Sequence, residues 1–259
     1  MSDQGRVILE LRDDIAYITF DHVSARNAMT WSMYDQLSNV CAQLKDTQGI
    51  RAAVLRGAGG KSFVSGTAID QFTEFKDGQA GVDYEKHVDA HIQALEQLPF
   101  PTIAVLEGLA MGGGLLFATA CDFRIASAGT KLGCPIARTV SNCLSSDNLA
   151  RLITEFGTQK VKRMLLLAET PTAEELSDTG FFYQICSADQ LDQVCEQLIH
   201  TIRALSPTTL KVTKLAMRGA HQSLLPNADD LIRECYGSAN FREGVSAFLA
   251  KRPAQWRTE

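Results

Sequence analysis

The chain has 259 residues and a mass of 28.3 kDa, enough for one large core plus an appendage, so no disulfide or metal staple is required. Its 45% apolar and 21% charged content excludes a disordered, collagen-like or coiled-coil chain. A net charge of −5 with a pI near 5.6 gives a field that repels a polyphosphate duplex, so no nucleic acid is expected as a partner.

In chain order, residues 7–11 and 15–20 are β-rich segments separated by Arg12-Asp13-Asp14, the pattern of a hairpin. Thr30 can cap a helix in which Met33, Leu37, Val40, Cys41 and Leu44 recur at helical spacing. An apolar strand at 52–55, a glycine-rich turn at 57–60 and a strand-like Phe63-Val64 follow. The order repeats as a strand at 102–106, a loop at 108–114, a helix at 115–120 and a strand at 123–126. Two such passes predict parallel strands joined by crossovers, an α/β class. Beyond Ser145 helical patterns at 149–156, 161–167 and 173–178 precede one strand-like piece at 181–186, and helices then run to the end with breaks near Pro207 and Pro226. A boundary near residue 200 is expected, with a mixed core over 1–200 and a helical region over 201–259. That region makes a thin core by itself and must pack on the first part or on another subunit.

Seven cysteines, Cys41, Cys121, Cys134, Cys143, Cys186, Cys195 and Cys235, form no Cys-x-x-Cys pair and no zinc spacing. They read as small buried hydrophobes in a reducing compartment. Charged residues interrupt the first 21 positions, so no secretion signal is expected. The longest weakly polar run, 109–121, has 13 residues, against the roughly 20 of a membrane span. A cytoplasmic protein without a membrane partner is the expectation.

Residues 56–62 end in Gly-Lys-Ser, but Leu55 stands where a phosphate-binding P-loop needs its first glycine, and no useful helix follows. Met111-Gly112-Gly113-Gly114 opens an apolar helix with three glycines, which leaves backbone N–H groups free of side-chain cover. Tight helix packing is the other use of such a triplet. The small-residue loop at 63–69 has the same ambiguity.

Taken together, these segments resemble the crotonase (enoyl-CoA hydratase/isomerase) superfamily. The resemblance rests on Arg26-Asn27-Ala28, on Phe63 to Ile69, on the run from Pro101 to Asp122 with its Gly-Gly-Gly and Cys-Asp, on Leu132 to Pro135, and on Phe248-Leu249-Ala250-Lys251-Arg252, all in order. It implies an α/β fold, a spiral of ββα units with a helical C-terminal region that forms a homotrimer or a dimer of trimers. It also implies an acyl-CoA thioester substrate, with coenzyme A part of that substrate and no separate cofactor or metal. The family's two oxyanion donors fall on the amides of Thr67 and Gly113. Arg26, Ala28, Ser65, Thr67, Ala68, Ile69 and Asp70 would line the CoA groove, and Phe248 and Lys251 would reach the nucleotide from a neighbouring subunit.

The chain departs from the family at the two hydratase glutamates, whose positions hold Leu116 and Ile136. Neither side chain moves a proton, so the standard hydration mechanism is not expected, and the pair would line an apolar acyl pocket. Other acid or base candidates are His87 and His91, four apart on one helix face, and Asp147 near a helix start. The two histidines also read as surface residues without a third metal ligand, and Asp147 as a helix cap. Cys143 is either a nucleophile or a buried inert thiol. Glu107 reads as structural. An acyl-CoA-processing enzyme is the first expectation; a non-catalytic acyl-CoA-binding protein and a CoA-thioester hydrolase are the alternatives.

Overall fold

Asp13, at φ 55°, makes the turn between β1 (Arg6–Arg12) and β2 (Ile15–Asp21), which pair antiparallel with Arg12 opposite Ile15. The computed structural model describes residues 5–222 and 229–255. Thr30 caps α1 (Trp31–Asp46) by accepting from the Met33 amide, and the five apolar residues expected on its inner face are all buried. The chain then enters β3 (Ala52–Gly57), crosses through α2 (Gly78–Glu96) to β4 (Thr102–Leu106), and continues through short β5 (Leu109–Met111) and α3 (Gly113–Ala120) to β6 (Phe123–Ser127). After β7 (Lys131–Gly133) and α4 (Ser146–Leu166) comes β8 (Gln184–Cys186). The main sheet has the order β1-β2-β3-β4-β6-β8, parallel from β2 onward, and β5 pairs with β7 in a separate small sheet.

Both faces of the main sheet are covered, which is why its central strands read as unbroken apolar runs. Ala53, Leu55, Ala104 and Leu106 point into the core shared with α1 to α4. Ala52, Val54, Ile103 and Val105 point the other way, onto Leu191, Val194, Leu198, Ile199 and Ile202 of α5 (Leu191–Arg203). Residue 200, the expected boundary, therefore lies inside a helix packed on the sheet. Residues 173–178, expected as a helix, form a 3-10 turn at Glu174–Thr179, and the two helical patterns at 149–156 and 161–167 are two helices within α4, separated at Gly157, whose φ 74° and ψ 155° are not helical. Pro207 begins α6 (Pro207–Gln222), where its missing N–H costs nothing. Pro226 lies outside the described residues. Among the described residues no helix is long and apolar enough to cross a membrane.

The last two helices, α7 (Asp229–Gly237) and α8 (Ala239–Leu249), complete an aromatic cluster of Phe72, Tyr236 and Phe241 with Val82, Val140, Ile232 and Val245. α7 crosses α2 at backbone distance. A Cβ at Gly78 would overlap the Arg233 carbonyl, and one at Gly81 would enter the Tyr236 ring. One turn on from Gly81, Glu85 accepts from the Tyr236 hydroxyl (2.6 Å) and from the Ser145 amide (2.8 Å). Asp89, a further turn along, accepts from the Ser145 hydroxyl (2.9 Å) and the Asn148 side chain (2.8 Å). Glu96 takes a bidentate pair from Arg151 (2.6 and 3.0 Å). One face of α2 thus fixes the 141–145 loop, the start of α4 and α7 through carboxylates. On the far side of that loop, Gly244 of α8 lies so close to Val140 that a Cβ would come 2.6 Å from its carbonyl carbon.

Two outcomes are expected. Gly81→Ala forces α2 and α7 apart and lowers stability by about 1–3 kcal/mol in denaturant unfolding, with more loss for Gly81→Val. Burial raises the Glu85 carboxyl from 4.5 to about 8, against the opposing bonds from Tyr236 and Ser145. The folded state therefore holds a proton that the unfolded state has released, and stability present at low pH is lost as pH rises through about 8. Asp89, raised to about 6, adds in the same sense at lower pH. Glu85→Gln removes the decline between pH 6 and 8 in thermal melts; an unchanged slope would assign the decline elsewhere.

Candidate active site

Two crossings bring the glycine-bearing loops together. Met29 donates to the Gly66 carbonyl (2.8 Å) and accepts from the Ala68 amide (2.9 Å), a parallel bridge. In such a bridge the residue between the two partners turns its own amide to the opposite side, and that residue is Thr67. The Val64 carbonyl accepts from Met111 (3.0 Å), and Phe63 donates to Leu109 (2.9 Å). A Cβ at Gly114 would overlap the Val64 carbonyl, and one at Gly112 would come 3.7 Å from the Gly66 Cα. Segments 64–66 and 111–114 thus meet backbone to backbone.

Gly113 is the first residue of α3, so its amide has no acceptor one turn back; the Leu116 amide is the first to close a turn, onto Gly112 (3.2 Å). Among the described residues neither the Thr67 amide nor the Gly113 amide donates a hydrogen bond. A Cβ at Gly113 would stand 3.9 Å from Thr67 Oγ1 and 3.2 Å from the Tyr34 hydroxyl. Both candidate donors therefore lie on adjoining segments at the positive end of one helix.

A hydroxyl triad surrounds this junction. Thr67 Oγ1 lies 2.8 Å from the Tyr34 hydroxyl and 2.8 Å from the Tyr84 hydroxyl. Burial pushes the Tyr34 phenol up to about 12 and raises Tyr84 well above its usual value, so both stay protonated. The sequence reading missed Tyr34, Tyr84 and Glu85. The available signal was polar residues at inward positions: Tyr34 lies on the stripe of Met33 and Leu37, and Glu85 on that of Val82, Val88 and Ile92.

The acid–base candidates fall in different places. His91 is buried, and burial with the neighbouring His87 pushes it down to about 4. Its Nδ1 meets Ser38 Oγ at 2.5 Å and its Nε2 meets His87 Nε2 at 2.9 Å. The Tyr34 ring packs on both imidazoles, 6.1 and 5.2 Å between centroids, while its hydroxyl reaches Thr67. Asp35, from the next position on α1, brings a carboxylate to the pair, with the ligand-type atoms of the three residues all within 4.8 Å of one another. Asp147 is not the cap of α4; Ser145 is, accepting from the Asn148 amide, and Asp147 accepts from Gln93 at 3.4 Å. Cys143 shares a hydrogen bond with Cys235, which with burial raises its thiol, the opposite of what a nucleophile needs. Glu107 pairs with Arg56 (3.3 Å). Leu116 is buried on α3, and Ile136 is half-buried in the loop after β7, its carbonyl accepting from Ser141.

The residues expected at a CoA groove lie along the 22–29 and 63–70 segments. Arg26 is exposed at φ 54°, the Ala28 carbonyl contacts His22 Nδ1 (2.9 Å), and Ser65 donates to the Ala25 carbonyl (3.2 Å). Ala68 precedes a 3-10 turn, Ile69–Glu74, on which Asp70 is exposed. Within the one chain, α8 packs on that same turn through Phe241 and Phe72 (5.9 Å), and leaves Phe248 and Lys251 exposed.

The sequence profile of the enoyl-CoA hydratase/isomerase family matches residues 10–259. The chain is 26% identical over 254 residues to the short-chain-enoyl-CoA hydratase of Clostridium acetobutylicum, covering 96% of each. It is 30% identical over 220 residues to the (E)-benzylidenesuccinyl-CoA hydratase of Thauera aromatica, covering 81% of each. A methylmalonyl-CoA decarboxylase, solved in complex with 2-nitronate-propionyl-CoA, superimposes with a TM-score of 0.88 over 98% of both chains at 22% identity, a likeness of fold. With strand order, loop junction and profile in agreement, the chain belongs to the enoyl-CoA hydratase/isomerase family and has the crotonase fold.

Proposed function

We propose that the protein is an acyl-CoA-processing enzyme that holds the thioester carbonyl between the Thr67 and Gly113 amides and stabilises it as an enolate, without the paired glutamates of a hydratase. The observation that carries this is the backbone contact of 64–66 with 111–114, which leaves two unengaged amides on adjoining segments. The two hydratase relatives are named for acyl-CoA substrates, which supports a CoA thioester here. The CoA moiety would run along Arg26, Ala28, Ser65 and residues 67–70. Phe248 and Lys251 are exposed and would meet the nucleotide of a neighbouring copy, a reading that the exposed Val212, Leu215 and Met217 of α6 support.

Two fixed amides need no reorganisation as charge develops on the oxygen, and one such donor is worth about 10²–10³ in rate. The triad adds a further donor. Its three hydroxyls carry three protons, and because a hydroxyl rotates, Tyr34 or Tyr84 can turn its proton to a bound ligand in place of a triad partner. Leu116 and Ile136 offer nothing that accepts a proton. A site rich in donors at these positions favours an enolate formed by departure of a group from Cα over one formed by adding water. With a 2-carboxyacyl thioester the C–C bond breaks, its electron pair enters the enolate, and CO2 leaves. Cα then takes a proton from the triad, which solvent restores.

Crotonyl-CoA hydration, followed by loss of enoyl absorbance, is expected to be at least 10³-fold below that of a two-glutamate hydratase, since both general acid–base groups are missing. Release of CO2 from malonyl- or methylmalonyl-CoA, or deuterium exchange at Cα of a saturated acyl-CoA, is expected; binding of these ligands with neither reaction would support the non-catalytic alternative. Pro is tolerated at the first position of a helix, so Gly113→Pro removes the amide donor and should cost about 10²–10³ in kcat. Gly113→Ala keeps the amide and should cost less than Gly113→Pro, the remaining loss coming from its Cβ, 3.2 Å from the Tyr34 hydroxyl. Tyr34→Phe should lower kcat on the order of 10²-fold with little change in KM.

A further inference from the structure

We propose that Asp35, His87 and His91 form a binding site for a first-row divalent transition-metal ion, zinc being the best fit to its donor set. This site is separate from the acyl-CoA reading and does not depend on it. His87 and His91 stand one turn apart on α2, with their Nε2 atoms 2.9 Å from each other and the rings nearly perpendicular, at 83°. Asp35 on α1 completes a group whose ligand atoms all lie within 4.8 Å of one another. Two ligands of a tetrahedral zinc ion are about 3.3 Å apart, so the imidazole pair needs only a small opening to admit the ion. Asp35 and His87 are both exposed, which gives the ion a route in and lets the carboxylate turn to close the third edge.

The surroundings already resemble the outer shell of a metal site. Ser38 Oγ, on the same helix as Asp35, lies 2.5 Å from His91 Nδ1. With the Nδ1 proton donated to Ser38, the Nε2 lone pair of His91 faces His87, the tautomer a metal ligand requires. Trp31 meets the His87 ring edge to face at 5.8 Å and limits its rotation. Two imidazole nitrogens and one carboxylate oxygen suit zinc, cobalt(II), nickel(II) or copper(II) and not magnesium or calcium, whose sites are built from oxygen. Three protein ligands leave one position for water. In the free protein one Nε2 proton lies between the two rings; on coordination it shifts to the Nδ1 of His87, so no net proton need be lost. The ion would clamp α1 to α2 across Tyr34, whose ring packs on both histidines.

The test uses the tag-free full chain, stripped with a chelator and titrated with zinc by calorimetry and with cobalt(II) by visible absorption. One equivalent per chain is expected, with the d–d band of a low-coordinate cobalt. His87→Ala should weaken binding about 100-fold and Asp35→Ala about 10-fold, both positions being exposed and tolerant of substitution; unchanged melting without metal confirms their folding, and His87→Gln replaces any variant that fails it. Zinc should raise the melting midpoint of the parent chain and not of His87→Ala. Absence of binding by the parent chain overturns the assignment, as does equal affinity in His87→Ala, which would place the ion elsewhere, for example on the Cys143–Cys235 thiols.

Discussion

Where the last glycine of the triplet, Gly114, meets the Val64 carbonyl, there is no room for a side chain. α3 can start against the Val64 carbonyl only because Gly114 has no Cβ, and that contact fixes where the free amides of the first turn point. The strands behind it supply rigidity. β3 and β4 are buried on both faces, and being parallel neighbours each delivers its following loop to the same end of the sheet. The side chains that matter then gather by packing. Tyr34 arrives on α1 and Tyr84 on α2, and both are held by Thr67 between the two loops.

α2 organises most of what surrounds the junction. Its inner face carries Gly78 and Gly81 for close approach, then Glu85, Asp89 and Glu96 as acceptors for three different parts of the chain. A buried carboxylate is costly unless its oxygens are occupied, and both oxygens of Glu85 are. The desolvation that remains is what raises its proton affinity. The opposite face of the same helix carries His87, so structural and ligand-bearing groups are segregated by helical periodicity.

The fold was largely legible because its signals are local. The acidic turn at Asp13, the cap at Thr30, the apolar strands and the glycine triplet each act within a few residues, and the motif order points to the family. Long-range pairings were not legible. Asp147 has the chemistry of a cap, but Ser145, two residues earlier, takes the role because its amide is anchored on Glu85 and its hydroxyl on Asp89 of a distant helix. The two histidines seemed to lack a third ligand because Asp35 lies more than fifty positions away. Helical patterns at 149–156 and 161–167 read as two helices, and Gly157, with non-helical φ and ψ, separates them. Nothing in the local pattern marks Tyr84 or Glu85 as more than irregularities in an amphipathic face.

The 134–146 loop is gripped from two sides, by α2 through Ser145 and by α8 through Val140 against Gly244. Its inner carboxylate contact is shared with Tyr236, which belongs to the last thirty residues of the chain. The loop is therefore held jointly by a helix from the first half of the chain and by the last two helices. Exchange of the final two helices between relatives would replace Tyr236 and Gly244 together, and with them the contacts that seat this loop, without alteration of any strand.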